Sequence, residues 1–374
     1  MDGRLAPYTL RDTVLWPRPD GPAAARVAYA AAHVVANPLA DNTPGAPAAL
    51  DWDATLAYRR HLWSYGLGVA DAMDTAQRGM GLDWAATREL VRRSAAEAAT
   101  VPGARLGCGA GTDHAGELST LDDVVAAYEE QVAVVEDAGA TVILMASRQL
   151  ARIARGPDDY AEVYGRLLAQ VRTPVVLHWL GEMFDPALAG YWGSADIPTA
   201  TKAFLDIVAA HSSTVDGVKV SLLDAEHEVA LRAALPPGVR LYTGDDFNYP
   251  DLIGSGSHAL LGIFDAIAPA ASTALTALSA GDNERYREIL DPTVPLSRHV
   301  FGAPTYHYKT GIVFLAWLAG HQDAFTMVGG MQSARSLPHL AETFRLADAA
   351  GLLPDPYLAV ARMRKILTLH GIEG

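Results

Sequence analysis

The sequence predicts an α/β fold, a (β/α)8 TIM barrel with an N-terminal arm and a C-terminal helical extension. Three observations predict it. Short, near-continuous apolar runs, the pattern of strands buried on both faces, alternate with longer amphipathic stretches of helical period. That alternation repeats eight times, which suits closure of a parallel sheet on itself. After residue 282 the strand pattern stops and only helical periodicity remains. The competing architecture is an open doubly wound sheet. No Gly-x-Gly-x-x-Gly follows the first strand to support a dinucleotide site in such a sheet.

Residues 1–25 carry Pro7, Pro17, Pro19 and Pro22, which exclude a continuous helix and indicate an extended arm on the surface. The barrel is assigned to residues 26–282. Arg26–Val35 reads as its first strand, followed by the Pro/Gly/Asn-rich loop Asn37–Pro47 and a helix over Leu50–Tyr65 that Asp51 or Asp53 is suited to cap. Gly66–Met73 is the second strand, and Asp83 caps the helix Trp84–Ala98. Arg105–Ala110 is the third, before a helix over Ser119–Ala138 whose Ser-Thr-Leu-Asp start resembles a capping sequence. The units Thr141–Ala146 with Asp158–Val171, Pro174–Trp179 with Ala200–His211, and Asp216–Val220 with Ala225–Leu235 follow. Arg240–Gly244 then precedes Tyr249–Ser255, and His258–Phe264 precedes Ala268–Ala280. Residues 283–374 read as four helices: Asn283–His299, Tyr308–Gly320, Ser336–Ala350 and Tyr357–His370.

Half of the 374 residues are hydrophobic and 19 % are charged, so a large core is available and wholesale disorder is excluded. A formal net charge of −14 argues against nucleic acid or an anionic membrane as partner, since either would want a basic face. The single cysteine, Cys108, rules out an intrachain disulfide and a cysteine-based zinc site. No run of about 18 apolar residues exists, and the first residues lack a basic-then-apolar leader. The expectation is a soluble, cytoplasmic protein.

Chemistry concentrates on the sixth strand. Lysine occurs only at positions 202, 219, 309 and 365, and Lys219 interrupts the apolar run Val215-Asp216-Gly217-Val218-Lys219-Val220-Ser221. Burying an ammonium is costly unless it is paired or loses its proton. Desolvation depresses an amine's pKa and frees it to attack a carbonyl as a Schiff-base nucleophile. The structural alternative is a lysine that snorkels to solvent or bridges a carboxylate. In a barrel of this kind the reacting groups stand at the C-terminal strand ends and in the loops that follow. Those ends supply Asn37, Asp71, Asp74, Thr75, Asp113, His114, Ser147, Arg148, His178, Glu182, Lys219, Ser221, Asp245, Asp246 and Asp265. Turns and caps account for part of that set. They account poorly for Lys219 and for His178, which breaks the run Val175-Val176-Leu177-His178-Trp179.

Four segments in this order carry a resemblance: Gly109-Ala110-Gly111-Thr112-Asp113, Asp216-Gly217-Val218-Lys219, Tyr242-Thr243-Gly244-Asp245-Asp246, and Gly254 to His258. Over about Ala28 to His258 the chain resembles the dihydrodipicolinate synthase / N-acetylneuraminate lyase superfamily of class I aldolases. In more detail it looks like the subgroup DUF993, an impression to which Tyr308-Lys309-Thr310-Gly311-Ile312-Val313 and Gly320-His321-Gln322-Asp323 contribute. The resemblance implies that Lys219 forms a covalent imine with the substrate, without a further cofactor and without a metal. It also implies dimers or tetramers, for which the apolar C-terminal helices are candidate packing surfaces.

The departures from that superfamily are informative. Its proton-relaying tyrosine on strand five aligns with His178, whose ordinary pKa near 6.5 suits the same shuttle. Its double-threonine loop aligns with Asp74-Thr75-Ala76-Gln77, so only Thr75 survives, and Asp74 would repel the carboxylate that this loop binds in the superfamily. A tyrosine pair after strand four is replaced by Ser147-Arg148-Gln149, and Glu182 and Met183 stand where the synthases hold a dicarboxylic substrate with an arginine. The expected catalytic residues are Lys219, His178 and Thr75. Asp74, Arg148, Glu182, Ser221, Asp245 and Asp246 are expected around the substrate, with loop anchoring as the alternative role for Asp245 and Asp246. The expected function is a Schiff-base lyase or aldolase on a small carbonyl compound, a keto sugar or sugar-acid derivative rather than the synthase substrates. Two alternatives stay open. One is a metal-dependent barrel isomerase or lyase drawing ligands for a divalent ion from Asp71, Asp74, His114, His178, Glu182 and Asp245. The other is an inactive barrel kept for binding.

Overall fold

Eight parallel strands close into a barrel in sequence order, in a computed structural model that describes residues 6–372. They are β1 (Ala28–Ala31), β2 (Gly68–Asp71), β3 (Leu106–Ala110), β4 (Thr141–Leu144), β5 (Val175–Leu180), β6 (Val215–Ser221), β7 (Arg240–Thr243) and β8 (His258–Leu261). The ring is closed by β1 against β8, with Ala28 opposite Ala259 and Ala30 opposite Leu261. Helices follow the strands: α1 (Trp52–Ser64), α2 (Trp84–Ala98), α3 (Leu121–Asp137), α4 (Arg148–Ile153), α5 (Pro157–Leu168), α6 (Ile197–Ala210), α7 (Ala225–Ala234), α8 (Tyr249–Gly254), α9 (Ile263–Ala266) and α10 (Ala268–Ser279). Beyond the barrel come α11 (Asn283–Leu290), α12 (Val294–Val300), α13 (Tyr308–Leu318), α14 (Leu337–Ala349) and α15 (Pro356–Leu369).

Capping follows residue chemistry. Asp51, not Asp53, accepts from the Ala54 N–H to start α1, Asp83 accepts from Ala86 N–H at α2, and Thr120 with Asp123 forms a reciprocal capping box at α3. The strands are shorter than the apolar runs that announce them. β1 ends at Ala31, yet Ala32 to Ala36 stay buried, because a loop packed beneath helices needs apolar residues as much as a strand does. The helix expected over Asn283–His299 is interrupted at Asp291–Thr293 before α12 begins, at the two prolines Pro292 and Pro295. The short α4 occupies the stretch between Ala146 and Asp158, to which the sequence pattern assigns no element.

Alternation along each strand sorts side chains between two cores. Ala31, Ala70, Met73, Ile143, Met145, Val176, Tyr242 and Leu260 fill the lumen, while the opposite faces of the strands join the helices in a larger outer core. Between β5 and β6 the register jumps, from Val175 opposite Val215 to Val176 opposite Gly217, so Asp216 is an extra residue, a β-bulge. Beyond it His178 sits opposite Lys219. Since Val176 points into the lumen, His178 two residues on does too, and the paired Lys219 faces the same way.

The chain after β8 closes over the C-terminal end of the barrel. Every residue of α13 is buried, so this helix is an internal element and presents no surface to a second subunit; Tyr357 and Leu369 of α15 remain exposed. The arm carries no regular structure and is held to α14: Tyr8 Oη donates to Asp348 Oδ2 at 2.7 Å, and Trp16 Nε1 donates to the Gly351 carbonyl at 2.9 Å. Its first five residues lie outside the described region. Among the described residues no helix is long and apolar enough to cross a membrane.

Candidate active site

Lys219 rises from β6 into the mouth of the barrel. It is 7 % exposed and makes no hydrogen bond to any described residue. Space for its stem comes from Gly244, the residue after β7. A Cβ there would lie 2.9 Å from Lys219 Cε and would collide with Ser221 Oγ. Burial pushes the Lys219 amine below the ordinary lysine range, while Asp74 and then Asp246 draw it back up. Asp246 is buried in its turn, and that burial pushes its carboxyl up to about 7 even though Oδ1 accepts the Ile263 N–H at 2.8 Å. Both shifts favour the neutral forms, and a neutral amine is what nucleophilic attack requires.

His178 is fully buried. Its Nε2 lies 3.3 Å from Ser221 Oγ, and its Nδ1 has no hydrogen-bond partner. Desolvation, with the Lys219 charge adding to it, holds the imidazole well below its ordinary value, so it is neutral at pH 7. An imidazole titrating near 6.5, the expectation from sequence, is therefore corrected. The strand supplies no carboxylate to pair the imidazolium.

Thr75 is buried in the short turn Asp74–Ala76 soon after β2, and its Oγ1 lies 2.8 Å from the Tyr308 phenol. Tyr308 opens α13 and stands centrally over the mouth. Its ring stacks on Phe301 at 4.3 Å, meets Phe184 of the loop after β5 edge-on at 6.1 Å, and would touch a Cβ on Gly262 at the end of β8 at 3.2 Å. Burial, followed by the charges of Asp74 and Asp246, raises the phenol well above its ordinary pKa. Beside it Lys309 is also buried, with Nζ 3.2 Å from the Tyr306 carbonyl, 3.3 Å from Met80 Sδ and 4.8 Å above the Tyr308 ring. Burial lowers its amine to about 8 against the opposing pull of Asp74 and Asp185. Sequence reasoning did not assign Tyr308 and Lys309 to the site. The signal that could have found Lys309 is the one that found Lys219: a rare lysine followed by an apolar run, here Ile312 to Leu318.

The remaining expected residues divide. Asp74 is half-buried at the mouth, and its carboxylate accepts no hydrogen bond from any described residue. With Arg148, Thr112, Gln149 and Asp185 it lines a cavity of about 130 Å³ over the ends of β2 to β5. The Arg148 guanidinium is exposed there and bonds Asp185. Ser221 is buried beside His178. Asp245 spends its carboxylate on its own loop, accepting from Phe247 N–H at 2.8 Å, Asn248 N–H at 3.0 Å and Asn248 Nδ2 at 2.9 Å. Glu182 is exposed and lines a separate concavity with Met183, Leu222 and Asp224, apart from the lysine.

The residues weighed as metal ligands do not gather. Asp71 points out of the barrel to a buried ion pair with Arg59 and a bond from Ser94 Oγ, and His114 lies against Gln131 and Glu130. Among the described residues no group of three His, Cys, Asp or Glu side chains is arranged to hold an ion. Asp113 is tied to Arg78 and Gln131, and Asp265 to His33. At the opposite end of the barrel a cavity of about 520 Å³ is ringed by Arg105, Arg172, Arg240, Asp216 and Glu136, remote from the lysine's end.

The same architecture recurs in solved structures. A prophage protein of the dihydrodipicolinic acid synthase family from E. coli, YagE, solved with pyruvate, superposes with a TM-score of 0.68 at 13 % identity, over 87 % of this chain and 99 % of that one. Dihydrodipicolinate synthase from Aquifex aeolicus gives 0.67 at 11 %, over 88 % and 99 %. The Thermotoga maritima synthase gives 0.65 at 15 %, again over 88 % and 99 %. At such identities the likeness is one of fold. No curated protein matches the sequence. The sequence does match, over residues 1–372, the family described as "Protein of unknown function (DUF993)", and the chain belongs to that family.

Proposed function

We propose that this chain is a lyase or aldolase that binds a small carbonyl compound, a keto sugar or sugar-acid derivative, as an imine on Lys219. The observation that carries this reading is a buried lysine amine in the barrel mouth, free of hydrogen bonds to described residues and lowered in pKa. In the proposed reaction the Lys219 lone pair attacks the carbonyl carbon. The carbinolamine loses water, and in the resulting iminium the bond between the α and β carbons breaks: its electron pair flows into the iminium to give an enamine, while the β-hydroxyl gives up its proton and that fragment leaves as an aldehyde. The enamine left behind takes a proton and is hydrolysed, returning the amine. A hydroxyl pair, Thr75 with Tyr308, and a hydroxyl–imidazole pair, Ser221 with His178, carry those protons. Asp74 stabilises the iminium charge, and Asp246, held neutral beside the free amine, ionises to join it. No additional cofactor is needed for this route. We further propose a homodimer or homotetramer in the cytoplasm, where the buried, unpaired Cys108 would stay reduced.

Borohydride reduction in the presence of pyruvate, the ligand of the E. coli relative, or of dihydroxyacetone tests the reading. A stable mass adduct on the peptide containing Lys219 is expected, absent in Lys219→Ala and Lys219→Arg, because a guanidinium stays protonated and is no nucleophile. Adduct formation or turnover in either variant would sink the imine assignment. Loss of activity on chelation in place of trapping would favour the metal-dependent alternative.

A further inference from the structure

Asp74, on the loop after β2, and Lys309, at the start of α13, stand on two segments that pack against each other at the barrel mouth. The connection is short: Lys309 Nζ lies 3.3 Å from Met80 Sδ on that same loop and 4.8 Å above the Tyr308 ring, whose hydroxyl is 2.8 Å from Thr75, the neighbour of Asp74. Asp74 is the foremost charge acting on both amines, Lys309 and Lys219. Each member of the couple has unused bonding capacity. The Asp74 carboxylate accepts nothing from the described residues. The Lys309 ammonium has three protons, and its only described hydrogen-bond acceptors are one carbonyl and one thioether. Lys309 is 3 % exposed and forms no ion pair with a described carboxylate, a costly arrangement for a charge with no ligand to meet.

We propose that Asp74 and Lys309 form a hydroxyl clamp beside the imine lysine, so that the substrate carries an alcohol next to its carbonyl where a keto acid carries a carboxylate. The proposal rests on Lys219 being the imine-forming residue. The argument is one of complementarity. A hydroxyl donates one bond and accepts another, so it satisfies the carboxylate and the ammonium together. A carboxylate group would gain from Lys309 but meet Asp74 as a like charge, and an apolar group would leave both the buried ammonium and the half-buried carboxylate unmet. Lys309 becomes a specificity-determining residue supplied by the C-terminal extension, so the barrel by itself lacks one half of the site. Arg148 and Gln149, across the cavity of about 130 Å³, leave room for a further polar carbon or two.

The test compares borohydride trapping at Lys219 with dihydroxyacetone, which has a hydroxyl beside the carbonyl, and with pyruvate, which has a carboxylate there. Native protein is expected to capture dihydroxyacetone at least about tenfold faster, since a site built around a hydroxyl rejects an analogue that leaves its polar groups unpaired. Asp74→Asn and Lys309→Met should each cut that ratio by about tenfold, whereas Lys309→Arg, which keeps a donor and a charge, should retain part of it. Circular dichroism spectra that match native protein show that the variants are folded, and taking the ratio of the two probes cancels any loss of Lys219 reactivity common to both. Equal capture of the two probes by native protein, or an unchanged ratio in both variants, overturns the clamp and leaves the imine reading standing. If neither probe is captured at Lys219, the imine reading falls instead. The clamp is then judged by saturation-transfer NMR with erythritol, a polyol without a carbonyl. Contact with native protein that is lost in Asp74→Asn and Lys309→Met supports the clamp, and no contact overturns it.

Discussion

His178 shows how far burial alone sets a residue's chemistry. Its neighbours offer one hydroxyl at 3.3 Å and no carboxylate, so nothing stabilises the protonated ring, and the adjacent Lys219 opposes it. The ring therefore works as a neutral imidazole, able to take a proton only transiently. A relay through it puts the limb that His178 contributes to kcat/KM in solution more acid than the ordinary imidazole value near 6.5. His178→Phe should lower the rate by roughly 10²–10⁴, the usual contribution of a positioned acid-base group. Trapping at Lys219 should survive in part, because imine capture proceeds slowly without a relay. Near-native turnover with an unchanged pH profile would show that His178 only fills the core. Tyr308 is the other residue whose placement matters: it brings to Thr75 a phenol that strand five lacks.

At the scale of elements, the β6–β7 pair and α13 build the site together. The bulge at Asp216 sets which residues of β6 align with β5, and so puts Lys219 beside His178 in place of Val218. On the other side Val220 pairs with Thr243, which brings Gly244 level with Ser221 and the lysine stem. Gly244 is required there for space. Gly244→Ala would force its methyl against Ser221 Oγ and the Val220 carbonyl, a crowding that typically costs about 1–3 kcal/mol. For a chain of this length that corresponds to a fall of only a few degrees in Tm. The expected outcome is a folded protein in which trapping at Lys219 slows at least about tenfold, the penalty for a reacting group held off its geometry. Native trapping rates in Gly244→Ala would mean that the lysine stem does not need this contact.

The whole molecule carries its histidines in unusual states. Burial depresses His61 to about 3 and His321, His258 and His339 to about 4, and His178 is lowered as well. An unfolded chain protonates each near 6.5, so below that pH the unfolded state binds more protons and stability falls as pH falls. Two groups act in the opposite sense. Asp246 and Glu228, both raised to about 7 by burial, keep their protons in the folded state where the unfolded chain has lost them. With His227 and His307, also lowered by burial, seven histidines outweigh two carboxyls, although the less buried His227, His258, His307 and His339 count for less than the rest. Each net proton is worth up to about 1.4 kcal/mol per pH unit. Denaturant midpoints measured from pH 7.5 to 5 should therefore decline. A flat or rising series would show that the histidines are charged in the folded protein. The arm joins the same scale of organisation, since Tyr8 and Trp16 tie it to the far end of the chain around Asp348 and Gly351.

Strand and helix periods are local properties, and they determined the (β/α)8 order, the cap at Asp83, the choice of Asp51 or Asp53 at the first helix, the capping sequence from Ser119, and the anomaly of Lys219 in an apolar strand. They overran the strand ends, because apolar residues mark burial whether the backbone is strand or loop, as Ala32 to Ala36 do. Polar residues at strand ends were equally visible, but period and residue type do not say which way a loop turns its side chains. Tertiary packing decided that. It turned Asp71 out to Arg59, gave Asp245 to its own loop, left Glu182 on another surface, and kept Asp74 unbonded beside the lysine. It also carried Tyr308 and Lys309 across more than two hundred positions to Thr75 and Met80. Contacts of that separation form because α13 buries all of its faces over the barrel mouth, and no local pattern records where a buried helix will lie.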